Sequence, residues 1–281
     1  MTDFVAAAGR WRAMVEAHRA QNERLRDPAW QPGSDFAPLS VESFRADRER
    51  ADDARVLSAL HALVPPDGTV IDVGAGAGRF AIPLARTARE VVAIEPSPAM
   101  RARLTDDARR AGVSNIRLVG ARWEDTSGIH GDVVFASHVV YPVLDIGPFL
   151  ERMAAAAQVV AAVLVFEEPP LSWLFPFWPR VYGEERLPPP HLPQVVEVLA
   201  ELGFGPAGVD LLEVEPFELG PPDVARQKLR RRLYVHPDSA TDRRLGQAMT
   251  ELLEGRNGVL VPRTQRPVRV GLVRWQPRAA R

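Results

Sequence analysis

Apolar residues early in this chain recur at helical spacing. Trp11, Met14, Val15, His18, Asn22 and Leu25 form one such stripe, and Val56, Leu57, Leu60, Leu63 and Val64 form a second. The first 65 residues are therefore predicted to be helical, with a loop from Asp27-Pro28 through Pro38 between the two stripes. After Pro65-Pro66-Asp67-Gly68 the rhythm changes to short apolar runs separated by amphipathic stretches. Strands are predicted at 69–73, 90–95, 115–119, 132–137 and 158–166, with helices between most of them. That alternation predicts an α/β fold with a mostly parallel, doubly wound sheet. Ser97-Pro98 supplies an N-cap and a first-turn proline, and Ala111-Gly112 supplies a stop, so the helix after the second strand is the best bounded. Pro83 falls in the preceding helix, where its missing N–H kinks or shortens the helix unless it lies in the first turn.

From Glu167 to Pro193 prolines and aromatics dominate, including Phe175-Pro176-Phe177-Trp178-Pro179, and regular structure is not expected. His191 to Leu202 reads as a helix closed by Gly203. Strands follow at about 207–217 and 267–275 and are predicted to pair antiparallel at the sheet edge. A helical insertion separates them, with Leu245, Ala248, Met249, Leu252 and Leu253 on one face. The domain reading is a helical cap over 1–65 and a sheet domain over 66–281. The latter carries a lid segment at 167–193 and a helical insertion at 221–257.

Composition narrows the setting. No cysteine occurs among the 281 residues, which removes disulfides, thiolate metal sites and cysteine nucleophiles. Met1 to Arg12 lacks the charged-then-apolar order of a signal peptide, and no run approaches the roughly 18 apolar residues of a membrane span. A soluble cytoplasmic protein with no membrane partner is expected. The formal charge of −1 hides an asymmetry: Val224 to Arg281 holds 14 basic and 4 acidic residues, a net +10. That excess is either the outer face of the insertion or a surface for an anionic partner.

The chemistry concentrates at Val70 to Phe80, an apolar strand ending in Asp72 and followed by Gly74, Gly76 and Gly78. A loop so poor in side chains lets a ligand approach the backbone closely. The next strand, Val91 to Ile94, again ends in a lone carboxylate, Glu95-Pro96. Gly78-Arg79-Phe80 lacks the Lys-Ser/Thr of a phosphate-binding loop. Gly76, Gly78 and Ala81 match the spacing of a dinucleotide fingerprint, but Asp72 would repel a pyrophosphate.

A ligand offering a sulfonium, an ammonium and a ribose diol turns both acids to advantage. At these residues the chain resembles the class I S-adenosylmethionine-dependent methyltransferases, a Rossmann-like superfamily. Val70–Phe80 is similar to that family's first motif and Val91–Met100 to its second. Ile116–Gly120 with Trp123-Glu124-Asp125, and Asp132–Tyr141, fall where its third and fourth strands lie. The resemblance covers residues 67 to 203 and implies a seven-stranded sheet with an antiparallel last strand. It implies S-adenosylmethionine as cofactor, with Gly74, Gly76 and Gly78 against its methionine part and Asp72 at its ammonium. Glu95, followed by Pro96, would take the ribose hydroxyls, while Trp123 and Glu124 would border the adenine. Ser137 and His138 would lie near the methionine and the reacting methyl.

Methyl transfer from a sulfonium needs alignment and exclusion of water, and no metal. A base matters only for a protonated acceptor; the candidates are His138, Tyr141 and Glu167. The Asn/Asp-Pro-Pro-aromatic segment associated with exocyclic amine methylation is not present after the fourth strand, where Ser137-His138-Val139-Val140 stands. The lid aromatics from Trp173 to Tyr182 either close, together with the N-terminal helices, over a largely apolar small acceptor or pack the added helices. A small-molecule acceptor is the leading expectation. An RNA or other anionic polymer, a nicotinamide-dependent oxidoreductase and a non-catalytic nucleoside-binding protein stay open beside it.

Overall fold

The computed structural model describes residues 6–28, 51–205, 208–214, 219–264 and 266–277. The predicted loop reaching Pro38 lies, from residue 29 onward, outside these residues, as do 207 and 215–217 of the sixth predicted strand.

The strands are β1 (Thr69–Val73), β2 (Glu90–Ile94), β3 (Ile116–Val119), β4 (Gly131–Ser137), β5 (Ala157–Phe166), β6 (Gly208–Val214), β7 (Leu253–Arg256), β8 (Val259–Pro262) and β9 (Val268–Trp275). Seven of them make one sheet in the order β3-β2-β1-β4-β5-β9-β6. β1 to β5 pair in parallel. β9 runs antiparallel to both β5 and β6, so β6 points the same way as β5. The predicted antiparallel pair is present, with the last strand inside the sheet and β6 at its edge. Burial explains the order: Val270, Leu272 and Val273 of β9 are buried, whereas Val209 and Leu211 of β6 are exposed. β1 is buried along its whole length, as a central strand covered on both faces must be.

The helices are α1 (Ala7–Leu25), α2 (Ala51–His61), α3 (Ala81–Ala85), α4 (Pro98–Arg110), α5 (Ile146–Ala156), α6 (Phe177–Tyr182), α7 (Leu192–Glu201), α8 (Pro222–Arg232) and α9 (Ala240–Leu252). One core joins α1, α5 and α7 to one face of the sheet through Trp11, Val15, Phe149, Leu150, Val195 and Leu199. The other joins α2, α3 and α4 to the opposite face through Val56, Leu60, Phe80, Ile82 and Leu104. The two N-terminal helices thus belong to different layers. α1 is fixed by Trp11 Nε1, which donates to the Val143 carbonyl at 2.7 Å, and by the Arg10–Glu197 ion pair.

Local signals set several boundaries. Ser97 Oγ accepts from the Met100 amide, Pro98 opens α4, and Gly112 at φ 68° follows its end. Pro83 is the third residue of the five-residue α3, inside the first turn, where no intrahelical bond is lost.

Two expectations are corrected. The stretch 167–193 is not wholly irregular: it forms a 3₁₀ turn at Ser172–Leu174 and the helix α6. Pro179 sits in the first turn of α6, and burial of Phe177, Trp178 and Val181 outweighs the low helix propensity of the surrounding prolines. The insertion also extends past 257, because β7 and β8 form a hairpin around Asn257-Gly258, at φ 49° and 81°. Leu253 begins β7 and does not extend α9. α6 packs on α8, α9 and this hairpin to make a third core, with Leu174, Phe177, Trp178 and Val181 against Leu229, Leu245 and Leu253. Both the lid segment and the insertion leave the sheet at the carboxyl ends of β5 and β6. Among the described residues no helix is long and apolar enough to cross a membrane.

Candidate functional site

The strand order reverses between β1 and β4, whose last paired residues are Val73 and Ala136. A crevice opens at such a reversal beyond the carboxyl ends of the strands. The glycine loop occupies it. Gly74 and Ala75 both donate to the Ile94 carbonyl, at 2.8 and 3.1 Å, and the Gly78 amide donates to the Ala75 carbonyl at 3.0 Å. All three glycines take positive φ, at 74°, 55° and 91°. A Cβ on Gly74 would stand 2.5 Å from Val139 Cγ2, and one on Gly78 would stand 2.9 Å from Ile82 Cδ1. A Cβ on Gly76 would meet nothing within 4 Å. Packing demands glycine at two positions; at Gly76 the bare backbone faces open space.

The two strand-tip acids frame that space. Glu95 Oε2 accepts from the Gly76 amide at 2.9 Å and Oε1 from the Ser97 amide at 2.8 Å. Arg101 reaches over the turn to the carbonyls of Glu95 and Pro96, both at 2.8 Å. Pro96 itself is exposed. Asp72 is 2% exposed. Burial first, and then the charge of Glu95, push its carboxyl up to about 7.

The segment after β4 lies against the loop through Val139. His138 adopts φ 56°, its amide donating to the Leu164 carbonyl at 2.9 Å. Its ring stacks on Phe166 with centroids 4.5 Å apart, and its Nδ1 lies 3.0 Å from Tyr141 Oη. The Phe166 amide donates to that same phenol oxygen at 2.9 Å. Burial, reinforced by Arg79, lowers the His138 pKa to about 3, and burial raises that of Tyr141. Ser137, half-buried, ends β4 immediately before them.

Other candidates are engaged elsewhere. Glu167 is held by both nitrogens of an Arg269 fork, at 2.6 and 2.9 Å. Trp123 is a core residue whose Nε1 donates to the Phe149 carbonyl at 3.4 Å, which leaves no face for an adenine. The exposed neighbours Glu124 and Asp125 are the accessible members of that turn, with Glu124 3.8 Å from Arg122.

Beside Tyr141 opens a cavity of about 460 Å³ between α1, the lid segment and the insertion. Val15, His18, Arg19, Asn22 and Glu23 of α1, with Arg26 just past its end, form one wall. Leu171, Leu174, Phe175 and Trp178 form another, with Arg186, Arg232 and Tyr234 closing it. Sequence reasoning expected the N-terminal helices beside the lid aromatics but assigned none of these α1 or insertion residues individually. The available signal was polar His18 and Asn22 within an otherwise apolar stripe.

Residues 70–160 match the family described as Methyltransferase domain. The chain is 36% identical over 97 residues to the 23S rRNA (uracil(1939)-C(5))-methyltransferase RlmD of Xanthomonas campestris, a match covering 34% of this chain and 21% of that protein. It is thus similar to about a fifth of that relative's length. Among solved structures, a putative methyltransferase from Bacillus halodurans superposes with a TM-score of 0.56 at 12% identity, covering 81% of this chain and 99% of the other. A SAM-dependent methyltransferase from Geobacter sulfurreducens, in complex with S-adenosyl-L-homocysteine, superposes with a TM-score of 0.51 at 15% identity, covering 85% and 98%. At these identities the likeness is one of fold.

Proposed function

We propose, on the premise that this chain carries a class I S-adenosylmethionine-dependent methyltransferase domain, that it transfers a methyl group to a small, partly apolar acceptor held in the cavity beside Tyr141. The crevice fits the cofactor on its own geometry. Gly76 leaves a bare backbone before open space. Asp72 is a buried carboxyl suited to an ammonium, and each Glu95 oxygen keeps a lone pair after its backbone bond. Gly74, Gly76 and Gly78 would hold the methionine part, Asp72 its ammonium, Glu95 the ribose diol, and Ser137 and His138 would flank the methionine. The adenine edge falls to Glu124 and Asp125.

Bound there, S-adenosylmethionine would supply a methyl already activated on a sulfonium. The protein's part is alignment and exclusion of water. Tyr141 Oη accepts the Phe166 amide, so its own proton turns to His138 Nδ1. His138 then keeps its proton on Nε2 and stays neutral, which makes it a donor and a positioning group. Glu167 is spent on Arg269. None of the three base candidates is poised to take a proton, so the site suits an acceptor whose nucleophilic atom already carries a lone pair.

The basic C-terminal stretch gives little support to an anionic-polymer acceptor. Arg226 and Arg230 pair with Asp242, Arg256 with Glu254, Arg269 with Glu167 and Arg274 with Asp210. Cations already paired release few counterions on meeting a phosphate backbone. This chain also offers no thiolate for covalent activation of a pyrimidine C5.

The observation that carries this reading is the pair of buried strand-tip acids around the open face of Gly76. Titration calorimetry with S-adenosylmethionine and S-adenosylhomocysteine tests it. Saturable binding of both is expected, and no heat from the native protein would overturn the reading.

A further inference from the structure

We infer that the acceptor is a small organic anion with a flat apolar body, and that Arg186 holds its negative group. The inference rests on the methyl-transfer reading and names the substrate class of its cavity.

The Arg186 guanidinium lies 3.9 Å over the Trp178 ring. Its Nη1 donates to Gln21 Oε1 and its Nη2 to His18 Nε2, each at 2.8 Å. His18 Nδ1 is 2.9 Å from the Leu187 carbonyl, which can only accept, so Nδ1 bears the proton and Nε2 the lone pair. Burial and the facing Arg186 lower the His18 pKa to about 4, leaving it neutral. All three partners of Arg186 are therefore uncharged. The nearest acid in sequence, Glu184, is taken by Arg24 at 2.6 Å and Gln21 at 3.1 Å.

Arg186 is partly withdrawn from water, and burial lowers its pKa to about 10, so it remains a cation near neutrality. A partly desolvated guanidinium with no acid among its described partners is costly, and a bound anion answers that cost. The rest of the cavity agrees. Arg19 also lines it, and among the described residues Glu23 is the one lining acid. Arg19 lies beside His18 and Asn22 on the cavity side of α1.

The remaining wall is apolar, from Leu171, Leu174, Phe175 and Trp178. Asn22 Oδ1 is buried in the cavity wall without a hydrogen-bond partner, a second polar atom awaiting a ligand group. A half-open cavity of about 460 Å³ is of a size that suits a small molecule. Tyr141, which lines the cavity, lies 3.0 Å from Nδ1 of His138 in the segment packed on the glycine loop. An acceptor anchored at Arg186 would therefore point its far end toward the donor crevice.

The test measures binding to protein saturated with S-adenosylhomocysteine. The probes are 2-naphthoate, 4-hydroxybenzoate and phenyl phosphate, set against 2-naphthamide, 4-hydroxybenzamide and phenol. At least one acid is expected to bind about tenfold or more tightly than its neutral counterpart, and the best acid distinguishes carboxylate from phosphate. Arg186→Gln should remove that preference while S-adenosylhomocysteine affinity stays within about twofold, and Arg186→Lys should keep part of it. Equal binding of acids and neutrals, no acid binding, or a preference that survives Arg186→Gln overturns the inference. If the native protein does not bind S-adenosylhomocysteine, the methyl-transfer reading fails, and the same preference measured without it decides the anion site alone.

Discussion

The main-chain amide of Gly76 donates to Glu95 Oε2 at 2.9 Å, tying the loop after β1 to the acid at the end of β2. One carboxylate thus shapes the glycine loop and is also the group proposed to take the ribose hydroxyls. Glu95 also accepts from the Ser97 amide with its other oxygen, so both oxygens brace the turn, and stability and affinity must be measured side by side.

Glu95→Gln keeps one acceptor oxygen and loses the charge. Its new NH2 must face the Gly76 or the Ser97 amide, so about 1–3 kcal/mol of stability should be lost, and binding of S-adenosylhomocysteine should weaken roughly 10- to 100-fold by calorimetry under conditions where the variant is folded. Undiminished affinity would remove Glu95 from the ribose site and leave it a loop brace.

Gly74→Ala and Gly76→Ala should fail in different ways. At Gly74 the new methyl meets Val139 Cγ2 at 2.5 Å in a left-handed conformation, so the variant loses stability, and adding Val139→Ala should restore part of it. At Gly76 the methyl meets no protein atom, so folding costs only the roughly 1–2 kcal/mol of an alanine at positive φ. Cofactor binding should nevertheless be lost there, as calorimetry beside a thermal melt would reveal.

Asp72 sets a pH dependence. Its folded pKa, about 7, lies above that of an unfolded aspartate, so the folded state holds the extra proton and ligand-free stability falls as pH rises from about 4 through 7. Asp72→Asn should raise ligand-free stability at pH 8 by on the order of 1–3 kcal/mol in denaturant melts. Binding of an ammonium needs the carboxylate, so affinity of the native protein for S-adenosylhomocysteine should climb by up to about tenfold per pH unit and level off above about 7. Flat affinity from pH 5 to 8 would separate Asp72 from the ligand.

His138 should not titrate in the working range. With its pKa near 3, its imidazole C–H resonances should stay constant between pH 5 and 9 by NMR. Tyr141→Phe strips the Phe166 amide of its acceptor and should cost about 1–3 kcal/mol of stability. It should slow methyl transfer without moving the pH profile, as loss of a positioning group does.

Asp242 anchors the insertion, accepting from Arg226 at 3.0 Å and from Arg230 at 2.6 and 2.8 Å. The Arg230 bonds, chiefly, hold its carboxyl well below the usual range, so this contribution is present above an ordinary aspartate pKa and is lost only in strong acid. Asp242→Ala should destabilise the protein by about 3 kcal/mol in thermal or urea melts.

The donor half of the site was legible in the sequence because it is local. Asp72, the three glycines and Glu95 stand at strand ends, and a strand that is apolar throughout announces its own end. Ser97-Pro98 and Ala111-Gly112 marked α4 for the same reason. Of the candidate acceptor cavity only the lid aromatics such as Trp178 were anticipated, since His18, Arg186 and Tyr234 join them only after the lid and insertion fold over α1. Trp123 matched by position, yet its burial under Phe149 is tertiary. The Asn257-Gly258 hairpin left a turn signal that the polar residues of β7 obscured.

The place of β9 between β5 and β6 also bears on the order of assembly. Among the described strands β6 pairs only with β9, and the described stretch 219–262 of the insertion is synthesised between them. On the ribosome β6 therefore has no strand partner until that stretch has emerged. The sheet margin and the lid over the acceptor cavity are thus bound to one late folding step, the step at which this chain is most open to misassembly.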